Sequence, residues 1–177
     1  WCKQTNYEID ARVPMIIRSP GADGNGQSTR ALVELVDLYP KLCELAGLPV
    51  PENLEGESLA PLLSDPNRHW PHQAFSQFRR QNGDAPLMGY AMRTDRYRFI
   101  QWQDRRTGEV VANELYDHQL DPEENANRAV LENQTDRLVR LSKQMWEALL
   151  KPPESVPSKR PRPQIVFRNR RSEPMTV

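Results

Sequence analysis

The 177-residue chain is long enough for one domain with its own core. Lys plus Arg and Asp plus Glu both number 24, so the formal net charge is zero and gives no general reason to expect nucleic acid or an anionic membrane as partner. No apolar run approaches the length of a membrane-spanning helix, and no signal-peptide pattern opens the chain.

The first residues, Trp1-Cys2-Lys3, lack an initiator Met, which suggests a piece of a longer chain. The run Val13–Arg18 reads as a short apolar strand closed by the Ser19-Pro20-Gly21 turn, with Pro14 at its start or on an edge. Residues 20–29 form a loop. Leu32, Leu35, Val36, Tyr39, Leu42, Cys43 and Ala46 lie on a helical stripe, but Pro40 would break a helix running through it. A helix starting after Asp37 resolves the conflict, with Asp37 as N-cap, Pro40 in the first turn and Gly47 as the left-handed C-cap. Ala31–Val36 is then a short strand or a helical turn. Cys43, on the apolar stripe, reads as a buried inert thiol.

Residues 48–72 form a long, proline-rich connection with one helical turn at 59–63. Strands follow at 73–78, 87–93, 97–103 and 110–116, the middle two joined in a hairpin through Thr94-Asp95-Arg96. In the third, Tyr97, Phe99 and Gln101 share one face and Arg98, Ile100 and Trp102 the other, so both faces should be partly covered. Residues 117–127 form a polar turn region. The helix 130–150 carries an apolar stripe of Leu131, Leu138, Leu141, Met145 and Leu149. Residues 152–177 read as an extended or disordered Pro/Arg-rich tail.

Chemistry-bearing patterns are sparse. His69 and His72 have no neighbouring ligand set and read as packing residues. His118 reads as part of a turn, and Glu123-Glu124 as acids favouring a following helix dipole. On residue chemistry alone, Lys3 is a solvated side chain first and an anion ligand second. Arg79 and Arg80, placed in a loop after the first strand, read by themselves as a solvated basic pair.

Five segments in order resemble the C-terminal part of the sulfatases of the alkaline-phosphatase-like superfamily. They are Trp1–Glu8 (W-x-K-x-[ST]-[NL]-[FY]-[ED]), Arg12–Ile16, Val36–Leu42 with Leu45–Leu48, Leu54–Leu63, and Glu114–Asp117 with Asp121–Asn125. Residues 88–98 are most similar to the iduronate-2-sulfatase branch. The pattern departs at position 41, where Lys stands in place of the usual Thr. The resemblance implies an α/β fold of which this chain is a C-terminal fragment. Residues 1–72 would end the catalytic domain and supply an edge of its large sheet. Residues 73–151 would form a smaller subdomain, an antiparallel sheet packed by a C-terminal helix. It further implies hydrolysis of sulfate esters of a sulfated sugar or glycosaminoglycan, by formylglycine made from a Cys in C-x-P-S-R, with Ca²⁺ beside it. Neither that motif nor the Asp-rich metal motif is in this chain, so the nucleophile and metal ligands belong upstream and the fragment alone should not turn over. Lys3 carries over as the sulfate-contacting lysine, and Arg79 and Arg80 as contacts to a sugar carboxylate. The implied partners are the sulfated sugar and the N-terminal remainder, with no nucleic acid or membrane span. The implied compartment is periplasmic, extracellular or lysosomal. A phosphoester or phosphonate hydrolase of the same superfamily, and a non-catalytic binding module, are the alternatives.

Overall fold

The structure, a computed structural model, describes residues 4–150. Its centre is a four-stranded antiparallel meander in the order β1-β2-β3-β4. The strands are β1 (Ala74–Asn82), β2 (Ala85–Arg93), β3 (Tyr97–Asp104) and β4 (Val110–Asp117). The register pairs Arg80 with Leu87, Gly89 with Trp102, and Ile100 with Glu114. The β1–β2 turn is tight because Gly83 adopts φ +57°, a conformation that costs glycine no Cβ clash.

Both faces of the sheet are covered, as the two-sided pattern of β3 predicts. On one face Met92, Phe99 and Leu115 pack with Leu141 and Met145 of α4 (Thr135–Leu149). Each such fully buried side chain contributes about 1.5–3 kcal/mol. Polar contacts orient the helix: the indole of Trp146 donates to Gln101 Oε1 at 2.8 Å, and its ring meets Tyr90 edge-on at 4.9 Å. The opposite face holds Leu87, Ala91, Ile100, Trp102 and Tyr116, with Tyr7 packed against them. Tyr7 immediately precedes the single turn α1 (Glu8–Ala11).

α2 (Leu38–Leu45) starts directly after Asp37, and only its end is closed by the expected capping residue. Gly47, at φ +66°, turns the chain left-handed, and Leu48 N then donates to the Cys43 carbonyl at 2.8 Å. Asp37, however, does not cap α2 with its side chain. It closes a preceding 3₁₀ turn over Leu35–Asp37, its carboxylate accepting the backbone N–H of Glu34 at 2.7 Å and of Glu57 at 2.9 Å. Cys43 is buried and free. α3 (Ala60–Ser64) lays Leu62 inward, with Leu59 buried just ahead of it.

Four expectations are corrected. Val13–Arg18 forms no ladder with any described strand, because a strand needs a neighbour and the one described sheet has none beside it. The apolar stripe is buried only at Cys43: Leu35 and Val36 of the 3₁₀ turn and Tyr39 and Leu42 of α2 are exposed, while Lys41 is 6% exposed. Nothing among the described residues covers that stripe. α4 starts at Thr135 rather than 130, since Leu131 is extended (φ −84°, ψ 130°) between two 3₁₀ turns. Finally, β1 runs on to Asn82, so Arg79 and Arg80 are strand residues and not loop residues. An edge strand tolerates such charges well and is shielded by them from pairing with other chains. The tail expectation for 152–177 lies outside the described residues.

Candidate functional site

The chemistry gathers on the sheet face opposite α4, where the N-terminal segment lies across the strands. Arg98 projects from the start of β3 into this layer and is 3% exposed. A buried guanidinium needs an acid, and two converge on it. Its Nε donates to Glu124 Oε1 at 2.6 Å, and its Nη2 donates to Glu8 Oε2. Glu124 sits at φ +57° in the turn after β4, which swings its carboxylate inward. The other Glu124 oxygen accepts the backbone N–H of Glu8 at 2.7 Å. Arg93 of β2 reaches Glu8 Oε2 at 3.4 Å and donates from Nη2 to His118 Nδ1 at 2.9 Å. Because a guanidinium can only donate, Nδ1 must accept, and the His118 proton sits on Nε2, 2.7 Å from Glu124 Oε1.

This cluster corrects two readings. His118 is not merely turn chemistry, and Glu124 does not serve a helix dipole. Both belong to a closed ion-pair layer. One signal in the sequence could have found it: an Arg inside a strand read as covered on both faces demands a buried acidic partner. The partners could not be named from sequence, because Glu8 and Glu124 are 116 residues apart.

Among the described residues, Glu8, His118 and Glu124 are the one group of three metal-type ligands with atoms within 4.8 Å of one another. They do not fit Ca²⁺. Arg98 and Arg93 already supply two positive charges to the two carboxylates, and a divalent ion would have to displace them.

Burial works to raise the Glu8 pKa, but the Arg98 guanidinium, then Arg93, outweigh it and hold it below the ordinary value of 4.5. At the end of β4, bidentate bonds from Arg96 (2.7 Å from Nη2) hold Asp117 below its ordinary 3.8. Depressed carboxylates contribute stability that is fully present above their unfolded pKa and is lost as pH falls through the folded value. The melting temperature should thus fall with acidification below about pH 4.5, and Asp117→Asn should flatten the lower part of that fall. A calorimetric pH series checks this; an unchanged acid slope in Asp117→Asn would contradict it.

The expected site residues fare differently. Lys3 lies just outside the described residues. Arg79 and Arg80, as strand neighbours, point to opposite faces. Arg80 is on the Tyr7 side, its guanidinium 4.7 Å over the Trp102 ring. With Trp102, Leu87, Val111 and Glu114 it lines an open pocket of about 380 Å³. Arg79 is exposed on the α4 side. The rear wall of the pocket is polar and satisfied: Glu114 accepts from the Trp102 indole and from the Tyr116 hydroxyl, both at 2.6 Å. Burial, reinforced by Glu114, raises the Tyr116 pKa well beyond the ordinary tyrosine range. His72 packs on Trp70 with ring centres 4.3 Å apart, as a packing residue should.

The architecture is thus an antiparallel meander backed on one face by one helix, with the segment around α1 clamped across the other face. Residues 1–152 match the family profile described as N-sulphoglucosamine sulphohydrolase, C-terminal, and the chain belongs to that sulfatase family. Arylsulfatase K of Rattus norvegicus is 37% identical over 134 residues, covering 72% of this chain and 23% of the relative. The Homo sapiens arylsulfatase K is 36% identical over 135 residues, 72% of this chain and 24% of the relative. The chain thus spans about a quarter of the length of these curated relatives. Among solved structures, the phosphonate monoester hydrolase of Agrobacterium radiobacter superposes with a TM-score of 0.59 at 20% identity, covering 72% of this chain and 27% of that one. The sulfatase candidate yidJ of Bacteroides fragilis superposes with a TM-score of 0.53 at 22% identity, covering 71% and 27%. At these identities the superpositions establish the fold: mixed α/β, with the four-stranded antiparallel sheet. No helix of the described residues is long and apolar enough to cross a membrane.

Proposed function

We propose that this chain is the C-terminal part of a sulfatase that hydrolyses sulfate esters of a sulfated sugar, of the iduronate-2-sulfatase type. The observation that carries the reading is the family match over residues 1–152, which begins on the Trp1–Glu8 segment. In the proposal, residues 1–72 end the catalytic domain, and the uncovered stripe of Leu35, Val36, Tyr39 and Leu42 is the seat of the upstream remainder of the enzyme. That remainder carries the nucleophile and the Ca²⁺ ligands; no group of described residues fits the ion. Bound there, the metal and formylglycine would supply charge neutralisation and the attacking oxygen. This chain's own contribution is electrostatic. The Lys3 ammonium contacts a sulfate oxygen and opposes the negative charge that develops there, an effect of about 3 kcal/mol by analogy with other fixed donors. The compartment proposed is periplasmic, extracellular or lysosomal.

Arg80 is the better candidate for a sugar carboxylate, since it shares a face with Asn6, Tyr7 and Glu8 and borders an open pocket. Arg79, on the other face, would need a different part of the substrate. The test uses the complete enzyme with a 2-O-sulfated uronic disaccharide, an uncharged sulfated sugar, an aryl sulfate and a phosphonate ester. Turnover of sulfate esters with preference for the uronic substrate is expected. Arg80→Ala should raise KM for that substrate roughly tenfold, the worth of one charge-assisted bond, and leave the neutral sugar unaffected. Arg79→Ala should do less. Equal KM for acidic and neutral sugars in the wild type removes the reason for naming either arginine. Turnover of the phosphonate ester alone favours the phosphonate-hydrolase alternative.

A further inference from the structure

Arg80 and Glu114 border the same pocket and do not pair with each other. The Arg80 guanidinium lies over the Trp102 ring and makes no hydrogen bond or ion pair with any described residue, so its N–H donors stay open to a ligand. Trp102 takes that place because its ladder partner is Gly89, where a Cβ would lie 2.8 Å from the ring. Glu114 faces the pocket from β4. Its oxygens accept from the Trp102 indole and the Tyr116 hydroxyl, each at 2.6 Å, and both donors are neutral. Burial and Glu114 raise the pKa values of Tyr116 and Tyr7, so both phenols stay protonated beside it. No cation among the described residues pairs with Glu114. A carboxylate has about four acceptor positions, so Glu114 can accept a further bond. Leu87, Val111 and Ala112 complete the lining. Strict alternation would send Val111 and Ala112 to opposite faces, but the register shift after Trp102 leaves Val111 without a ladder partner, and both border the pocket.

At about 380 Å³ the pocket is at the small end of ligand sites, and a ligand in it meets a cation on one side and an anion on the other. Such a ligand must carry an acidic group and a hydrogen-bond donor on one compact body. A sugar acid with a free ring hydroxyl does so. A ring with an anionic substituent in place of that hydroxyl would set like charges together beside apolar walls, where the contact is costly. We infer that Glu114 is a specificity-determining residue: it accepts a hydrogen bond from a free hydroxyl of the sugar acid whose carboxylate meets Arg80, and it turns away rings sulfated at that hydroxyl. The choice of a sugar acid rests on the proposed function, whereas the charge arrangement stands without it.

The test uses the complete enzyme and the 2-O-sulfated uronic disaccharide, with the 3- or 4-hydroxyl of the uronic ring left free, removed or sulfated. At one of these positions removal should raise KM roughly tenfold, the worth of a bond to a charged acceptor, and sulfation should raise it further. Glu114→Gln keeps an acceptor for the Trp102 indole but loses the charge, and should reduce the sulfation penalty roughly tenfold. Arg80→Ala should weaken all of these substrates and leave that penalty in place. A merely structural Glu114 would lower the melting temperature and slow every substrate alike. An unchanged penalty in Glu114→Gln, or a wild type with KM values for all the analogues within about twofold of one another, would overturn the inference. The wild-type comparison decides even if Glu114→Gln does not fold. An enzyme that cleaves no sulfate ester defeats the functional reading by itself, and calorimetric titration with a methyl uronide then tests the pocket. Binding that weakens on removal of one ring hydroxyl supports the inference, and binding without that dependence, or none, rejects it.

Discussion

Lys3→Ala in the complete enzyme should lower kcat about a hundredfold while changing KM far less. A fixed ammonium opposite a developing oxyanion acts mainly on the transition state, and about 3 kcal/mol of lost stabilisation corresponds to that factor in rate. An interaction made equally with the ground state would instead appear in KM. Lys3→Arg keeps the charge but not its compact shape, and should recover only part of the rate. Steady-state kinetics on an aryl sulfate decide the matter. Unchanged kcat would remove Lys3 from the sulfate site.

Arg98→Met should destabilise the complete protein by about 3–5 kcal/mol, the usual cost of removing one partner of a buried ion pair. The geometry explains the size. Glu124 is 2% exposed at its side chain and would keep only His118 and the Glu8 N–H, so its charge would stay buried without a cation of its own. Glu8 would retain Arg93 at 3.4 Å. The double variant Arg98→Met/Glu124→Gln should recover part of the loss, since it removes the orphaned charge as well. Denaturant unfolding measures both. A loss under about 1 kcal/mol in Arg98→Met would place the pair in the range of exposed salt bridges and contradict the closed layer described here.

The two predictions concern one construction. The ion-pair layer fixes Glu8, and Glu8 lies five positions after Lys3 on a segment closed by Asp10. A methyl group at Gly89 would intrude on Asn6 Nδ2 and on the Trp102 ring, both at 2.8 Å.

The sequence by itself determined what is local. Gly47 ends α2 because a left-handed residue is needed there and glycine adopts it freely. The four strands follow from turn residues between apolar runs, and the period-two pattern of β3 established that both faces would be covered. The ordered family motifs, including the lysine-bearing Trp1–Glu8 segment, are likewise visible without coordinates. Tertiary structure alone decided which distant residues meet. Pairing with β2 extended β1 through Arg79 and Arg80, and the pleat sent them to opposite faces. The apolar stripe of α2 stays exposed because periodicity tells which side is greasy and not what lies beside it. Arg98 found Glu8 and Glu124 because a buried guanidinium must be neutralised, and only the folded chain brings acids from opposite ends of the described sequence to it.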